Sequence, residues 1–518
     1  MTGTTKTAEV KPASAEAPGR RITLGISAAA LVFLLLAIGT ALTKRPWCDE
    51  AWFASPALDL ATNGRMGTHL LEPTGSWMAV NNPGANLKRI DQRTYWVMPL
   101  HLLVLAAWFK IFGFSLIVLR LPAMAWALMA MAAWWVMVRR LGGSKEVALL
   151  AIFLIGIDSA FVDFGSDGRM DMMCAALGFA GMAAYLALRE ANFRRAVIVS
   201  HTVAALACFT HPNGFLAAAS ILFLMVYLDR KQFGWLTLPV AGIPYVVAAL
   251  GWGMYIIQDP EAFRAQFGAN VLGRTAGLAA PLQGLWDEIR VRYLESHFLP
   301  HDAGSLSFIK VLVLVAYLGA VALAIATPAL RRHPGCRLLL YLTGLRFLLM
   351  GFGVSWKGDM YLVNIVPFYG AILAFVLGWL WQFQPRFRWA AAAVFCVVLG
   401  VQMIWNLHRI VRYRPYQTKY QPAMAFLKDH IGPRDLVYGS AELGFAFGFY
   451  NPQIIDDLWL GRWTGKQPTI IVADKWRYYR NLISAKQLPA YTDYVTQVMQ
   501  HYHPIYSQDE GYLIFRKN

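Results

Sequence analysis

Apolar runs of about twenty residues recur through most of this chain, beginning with Ile22 to Leu42, and short loops rich in arginine separate many of them. A run of that length matches the hydrocarbon thickness of a bilayer when coiled as a helix. With 57% hydrophobic residues and only 15% charged ones over 518 positions, the chain is too apolar for one soluble globule, and it reads as an integral membrane protein. The net charge of +17 raises the question of nucleic acid. No basic module or RNA-binding signature accompanies it, and its distribution follows membrane topology instead.

The positive-inside rule orients the chain. Arg139-Arg140 with Lys145, Arg189 with Arg194-Arg195, Arg230-Lys231, Arg331-Arg332 with Arg337, and Arg386 with Arg388 each lie between apolar stretches and are assigned to the cytoplasm. The spans expected on that basis are 22–43, 116–138, 146–164, 172–188, 196–210, 214–228, 234–257, 306–328, 338–354, 361–381 and 389–407, eleven crossings with the C-terminus outside. The apolar segment 95–114 would reverse every later loop if it crossed, so it is expected as a juxtamembrane or membrane-embedded helix. The polar N-terminal segment 1–21 is expected to be a disordered cytoplasmic tail, followed by a retained signal anchor. Outer loops are expected at 44–115 and 258–305. After 408 the strand candidates DLVYGS, TIIVAD and GYLIFRK and a helix-like stretch at 475–486 predict a small α/β domain over 408–518, outside the membrane. The fold class is thus mainly α, a polytopic helical bundle with a C-terminal α/β extracytoplasmic domain. The setting is the cytoplasmic (inner) membrane, with bulk lipid as its surroundings.

The chemistry concentrates on the outer face. Asp49-Glu50, in RPWCDEAW, stand just past the first span. A second acidic group, Asp167, Arg169 and Asp171 in GSDGRMD with Asp163 just before it, lies at the outer ends of the third and fourth spans. Carboxylates at such depth are hydrated, paired or used in chemistry. The plainer reading makes the first a solvated loop pair and the second a helix corner capped by Asp171. Cations on the same face are Lys88, Arg89, Arg93, Arg120 and Lys357. Arg120, within an apolar helix, needs an anion, either a phosphate or a carboxylate. His211, in THPNG, is a structural histidine or a ligand of phosphate or metal. His297 and His301 match no strong zinc spacing. The five cysteines show no metal or disulfide pattern. Neither a Walker loop, a GxGxxG fingerprint, a GxSxG elbow nor HExxH occurs in context, so no nucleotide cofactor is expected. A glycosyl donor on this face would have to arrive on a lipid.

In order and sidedness these pieces resemble the GT-C membrane glycosyltransferases, in particular the branch with protein O-mannosyltransferases and lipid A aminoarabinose transferases. The matching parts are Asp49-Glu50, FKIFGFSLIVLRLPA, GRMDMM, HPNG and KGDMYLVNIVP, within roughly 22 to 381. The resemblance implies a GT-C fold and transfer of a sugar from a polyprenyl-phosphate donor to an envelope lipid, glycan or protein acceptor. It implies Asp49 as general base, Glu50 as its assistant or an acceptor contact, and Asp171 as the second acidic position. Lys357 and Tyr361 correspond to the donor-phosphate region, with Arg120 and Arg169 as further members. Where many relatives carry Lys-Pro-Pro or His-Pro-Pro this chain has DQRTYWVMP, so Arg93 or Tyr95 would substitute. A divalent metal ion held by Asp49 and Asp171 is a further candidate, above all if the acceptor is a phosphate. Rival classes are a flippase for a lipid-linked glycan, which would show inverted repeats that are not evident here, a glycan ligase or polymerase using lipid pyrophosphates, and a non-catalytic envelope assembly factor.

Overall fold

The computed structural model describes residues 19–75, 86–272, 281–299, 304–474, 489–508 and 511–518. Most of the expected N-terminal tail, the helix-like stretch 475–486 and His301 lie outside these residues. Ten of the described helices are long and apolar enough to cross a membrane. Those used below are α1 (Arg20–Thr43), α2 (Cys48–Asn63), α3 (Pro99–Phe112), α4 (Leu116–Arg140), α5 (Lys145–Ile157), α6 (Ser159–Phe164), α7 (Asp171–Leu188), α8 (Phe193–Thr210), α9 (Phe215–Asp229), α10 (Thr237–Ile256), α11 (Pro260–Leu272), α12 (Pro281–Asp287), α13 (Lys310–Ala326), α14 (Pro334–Gly353), α15 (Val366–Phe383) and α16 (Arg388–Leu407). At 14 residues, α3 is about 21 Å long, too short to cross.

The difference from eleven expected spans lies at 146–164. Asp158 interrupts that run, leaving α5 with 13 residues and α6 with 6. The reason is local hydrogen bonding: Oδ1 of Asp158 accepts the backbone N–H groups of Ala160 (2.9 Å) and Phe161 (3.3 Å), so it caps a new helix rather than continuing the old one. Its other oxygen accepts the Tyr317 hydroxyl (2.9 Å) and the Gln402 amide (2.8 Å), while Asn406 donates to the Ile157 carbonyl (3.0 Å). Away from water such a break persists only where neighbours satisfy the freed groups, and α13 and α16 supply them.

The helix ends have visible causes. Ser115, Ser144 and Asn192 accept N–H groups of the first turns of α4, α5 and α8. The HPNG turn between α8 and α9 is very tight. A Cβ on Gly214 would lie 2.3 Å from the Cys208 nitrogen, so no side chain fits there. Toward its surroundings α10 is apolar, with Val247, Leu250 and Met254 each more than half exposed, as suits a helix facing lipid.

Beyond α16, a helix Gln421–His430 and a five-stranded mixed sheet follow, with strands β1 (Val437–Tyr438), β2 (Ile454–Ile455), β3 (Ile470–Asp474), β4 (Tyr502–Ser507) and β5 (Tyr512–Lys517) in the order β2-β1-β3-β5-β4. β1 runs parallel to β2 and β3, and β5 is antiparallel to β3 and β4. This sheet docks on the segment after α1. Arg45 pairs with Asp474 (2.7 Å), the Trp52 indole donates to Asp456 (3.0 Å), and the Asp456 N–H donates to the Leu70 carbonyl (2.7 Å). The arginine clusters lie at the opposite helix ends, where Arg189 pairs with Asp229 (2.8 Å).

Candidate functional site

Asp49 and Glu50 both sit in the first turn of α2, where unpaired N–H groups and the helix dipole favour negative charge. They part company at the side chain. Glu50 is fully buried, whereas the Asp49 side chain keeps 18% of its exposure. The Glu50 carboxylate receives Arg120 Nε (2.8 Å) and Nη2 (2.6 Å) in a two-pronged pair, together with the N–H groups of Gly168 (2.8 Å) and Trp47 (2.9 Å). Burial raises its pKa, but Arg120 and then Lys44 more than offset this and hold the carboxyl below its usual range.

The residues left Arg120 a phosphate or a carboxylate as its anion, and the resemblance gave Glu50 as assistant to Asp49 or an acceptor contact; in the structure the two pair with each other. Besides Glu50, the Arg120 guanidinium donates to the carbonyls of Ala41 (2.7 Å), Lys44 (2.8 Å) and Arg45 (3.1 Å). A guanidinium has five N–H donors, and all five are used. The pair ties the end of α1, the start of α2, α4 and the 165–170 turn into one unit.

Asp49 reaches Arg169 instead. Arg169 also pairs with Asp171 through Nε (2.8 Å) and stacks over the Trp47 ring (4.9 Å). Thus Asp49, Arg169 and Asp171 form a carboxylate–guanidinium–carboxylate row joining α2 to the start of α7. One oxygen of Asp171 is buried without a hydrogen-bond partner. The turn itself is set by Asp167, which accepts the Arg169 N–H (3.0 Å) and pairs with Lys44 (3.3 Å). Burial pushes the Asp167 carboxyl up to about 7; Lys44 opposes the shift, and Glu50 and Asp171 add to it. In this row Arg169 supplies the positive charge between Asp49 and Asp171.

A second cluster surrounds Lys357. Its amine donates to Glu288 (3.2 Å) and to the carbonyls of Met350 (3.0 Å) and Gly351 (2.8 Å). Burial lowers the Lys357 pKa, against the pull of Glu288. Glu288 also pairs with Arg292, which donates to the carbonyls of Trp356 (2.9 Å) and Gly358 (3.1 Å) and lies over the Tyr361 ring at 5.6 Å. The Tyr361 hydroxyl is 3.4 Å from His211 Nε2, and His211 Nδ1 accepts the Asn213 N–H (3.0 Å). Lys357 and Tyr361, one turn apart in sequence, and His211, 150 residues before Tyr361, are therefore linked in one cluster. Cys174 lies one turn along α7 from Asp171 and contacts the His211 carbonyl at 3.9 Å, so the two clusters adjoin.

Sequence reasoning missed Glu288 and Arg292. Their i,i+4 spacing in EIRVR, within a loop read only for its histidines, was the available signal. His297 lies apart, near Ser159 (3.5 Å). Arg93 and Tyr95 are not brought to this site. Arg93 bonds Gln258, while buried Tyr95 donates through its hydroxyl to the Tyr255 carbonyl (3.0 Å) and through its N–H to Gln266 (2.7 Å). Lys88 and Arg89 pair with Glu261 and Asp259. These contacts fasten the segment 88–95 to α10 and α11.

Residues 97–254 match the family model described as dolichyl-phosphate-mannose-protein mannosyltransferase. No curated protein matches the chain by sequence. Among solved structures, ArnT from Cupriavidus metallidurans bound to undecaprenyl phosphate aligns with a TM-score of 0.58 at 15% identity, over 96% of this chain and 98% of that one. The oligosaccharyltransferase of Archaeoglobus fulgidus tethered with an acceptor peptide aligns with a TM-score of 0.57 at 11% identity, over 95% and 74%. At these identities the likeness establishes the fold. The chain has the GT-C fold, as its resemblance in sequence predicts.

Proposed function

We propose that this protein transfers a sugar from a polyprenyl-phosphate donor to a hydroxyl acceptor at the outer face of the membrane, with Asp49 as general base. The observation that carries this reading is the division of labour in Asp49-Glu50: Glu50 is consumed by Arg120, while Asp49 keeps solvent access at the end of the row that leads to Asp171. Next to that row, Lys357 and Arg292 supply positive charge, and Tyr361 and His211 supply hydrogen-bonding groups. Arg292 takes the place that Arg120 was expected to fill.

A polyprenyl phosphate is already a competent leaving group, so the protein must align the reactants, activate the acceptor and stabilise the departing charge. The acceptor oxygen attacks the anomeric carbon and its proton passes to Asp49. The bond to the phosphate oxygen breaks with its electron pair left on that oxygen, beside Lys357 and Arg292. In-line attack inverts the anomeric centre. A positioned base contributes about 10²–10⁴ in rate, so Asp49→Asn should lower kcat by that factor while donor affinity stays nearly unchanged. The measurement is release of polyprenyl phosphate from a synthetic polyprenyl-phosphate sugar incubated with an envelope extract. Near-normal turnover by Asp49→Asn would sink the assignment.

A further inference from the structure

Around Lys357 the charges do not balance. Lys357 and Arg292 bring two positive charges, and Glu288, shared by both, brings one negative. Glu288 and Arg292 are fully buried and Lys357 is 8% exposed. Asp287, 28% exposed at its side chain, also acts on Lys357 but is shared with the half-exposed Arg290, which pairs in turn with Glu295, and water weakens all three. What remains is a buried cluster with one net positive charge. In a poorly solvated site such a cluster suits a monoanion better than a dianion.

That distinction coincides with the chemistry of the donor. While the sugar is attached, the lipid phosphate is a diester with a single negative charge. Transfer breaks the bond to the anomeric carbon, the electron pair stays on the phosphate oxygen, and the acceptor proton goes to Asp49. The lipid then carries a monoester, with a charge of about −1.5 to −2 near neutral pH.

We infer that Glu288 sets the charge of the phosphate seat, so that the seat retains the diester donor and lets the monoester product go. This rests on the reading of Lys357 and Arg292 as that seat. Glu288 acts through the two cations and not on the reacting atoms, which makes it a specificity-determining residue. Its place supports the role. It opens a stretch of wide helical turns, 288–298, and Arg292 follows four residues later on the same element, so one short segment carries both a cation and its neutraliser. With Glu288 neutral, two cations would face the product dianion and hold it.

The test compares two ligands within each variant of the full-length protein in detergent micelles at pH 8. One is farnesyl phosphate, a monoester, and the other is methyl farnesyl phosphate, a diester. Glu288→Gln should move the monoester-to-diester affinity ratio at least tenfold toward the monoester. Glu288→Asp keeps the charge and should stay within threefold of the parent. Lys357→Gln lowers the net charge, so it should weaken both ligands and move the ratio toward the diester. This second arm decides the matter even where Glu288→Gln fails to fold. An unchanged ratio in both Glu288→Gln and Lys357→Gln overturns the role of Glu288. If Lys357→Gln weakens neither ligand, the phosphate seat itself is misplaced, which is a different failure. Inorganic phosphate that competes as well as farnesyl phosphate would assign the seat to a soluble anion and overturn the lipid reading.

Discussion

The two buried ionic clusters, Glu50 with Arg120 and Glu288 with Lys357 and Arg292, are built from similar residue types and differ in their balance of charge. In the Glu50–Arg120 pair, one anion meets one cation and every guanidinium donor has an acceptor. Around Lys357 two cations share the single carboxylate of Glu288; the three donors of the Lys357 amine all have acceptors, as those of Arg120 do, so this cluster differs in its charge and not in the lysine's donors. A closed cluster is a joint, because nothing is left over for a ligand. An open one has charge to offer. Conspicuous buried arginines are thus poor guides to a binding site until the charges around them are counted.

The largest effect should come from breaking the closed cluster. Removing one partner of a buried pair strands the other, at about 3–5 kcal/mol. Arg120→Met should therefore lower the unfolding midpoint in detergent sharply, followed by tryptophan fluorescence, and transfer should be lost together with the fold. Arg120→Lys should not rescue it, since three donors on one amine cannot serve the acceptors that five now serve. A stable Arg120→Met protein with weakened phosphate binding would reverse the comparison. In the open cluster the outcome should separate the other way. Lys357→Gln removes one of the two positive charges and should weaken polyprenyl phosphate binding by roughly 10-fold, with a smaller change in stability.

The smallest effect concerns a third buried group, in the docked sheet. Burial lifts the Asp456 carboxyl from its ordinary 3.8 to about 7, against the Trp52 and Ala441 hydrogen bonds. An acid with a raised folded-state pKa binds its proton more tightly when folded, so stability falls as pH rises from about 4 to about 7 and levels off above. Docking of the sheet should be firmer at pH 5 than at pH 8, by a few degrees in unfolding midpoint. Asp456→Asn, which still accepts from Trp52, should flatten that slope. Equal slopes in parent and variant would place the titration elsewhere.

Much of the bundle was legible because a bilayer imposes one length on every crossing. The exception was 146–164, where a single carboxylate outweighed an otherwise continuous apolar run; hydropathy averages over Asp158, and the backbone does not. In the C-terminal region the cores of β1, β3 and β5 stood out, but β2 is two residues long and β4 contains Pro504, which disguised it. At the site, the residue types and their common side could be read. Partnerships could not. Arg120 meets Glu50 across 70 residues, and Lys357 meets Glu288 across 69, through packing that no local pattern encodes.

The broken helix at Asp158 also bears on how the protein is made. Its carboxylate is met by Tyr317, 159 residues further along the chain, and last of all by Gln402, 244 residues further along. At roughly 5–20 residues per second, synthesis brings that amide into existence roughly 12–50 s after Asp158 itself. During this interval α5 and α6 lack the partners that make their junction tolerable in a bilayer. The last membrane helix is therefore also the one that finishes an early one, and truncation before α16 should leave the nascent bundle exposed at its middle to quality control.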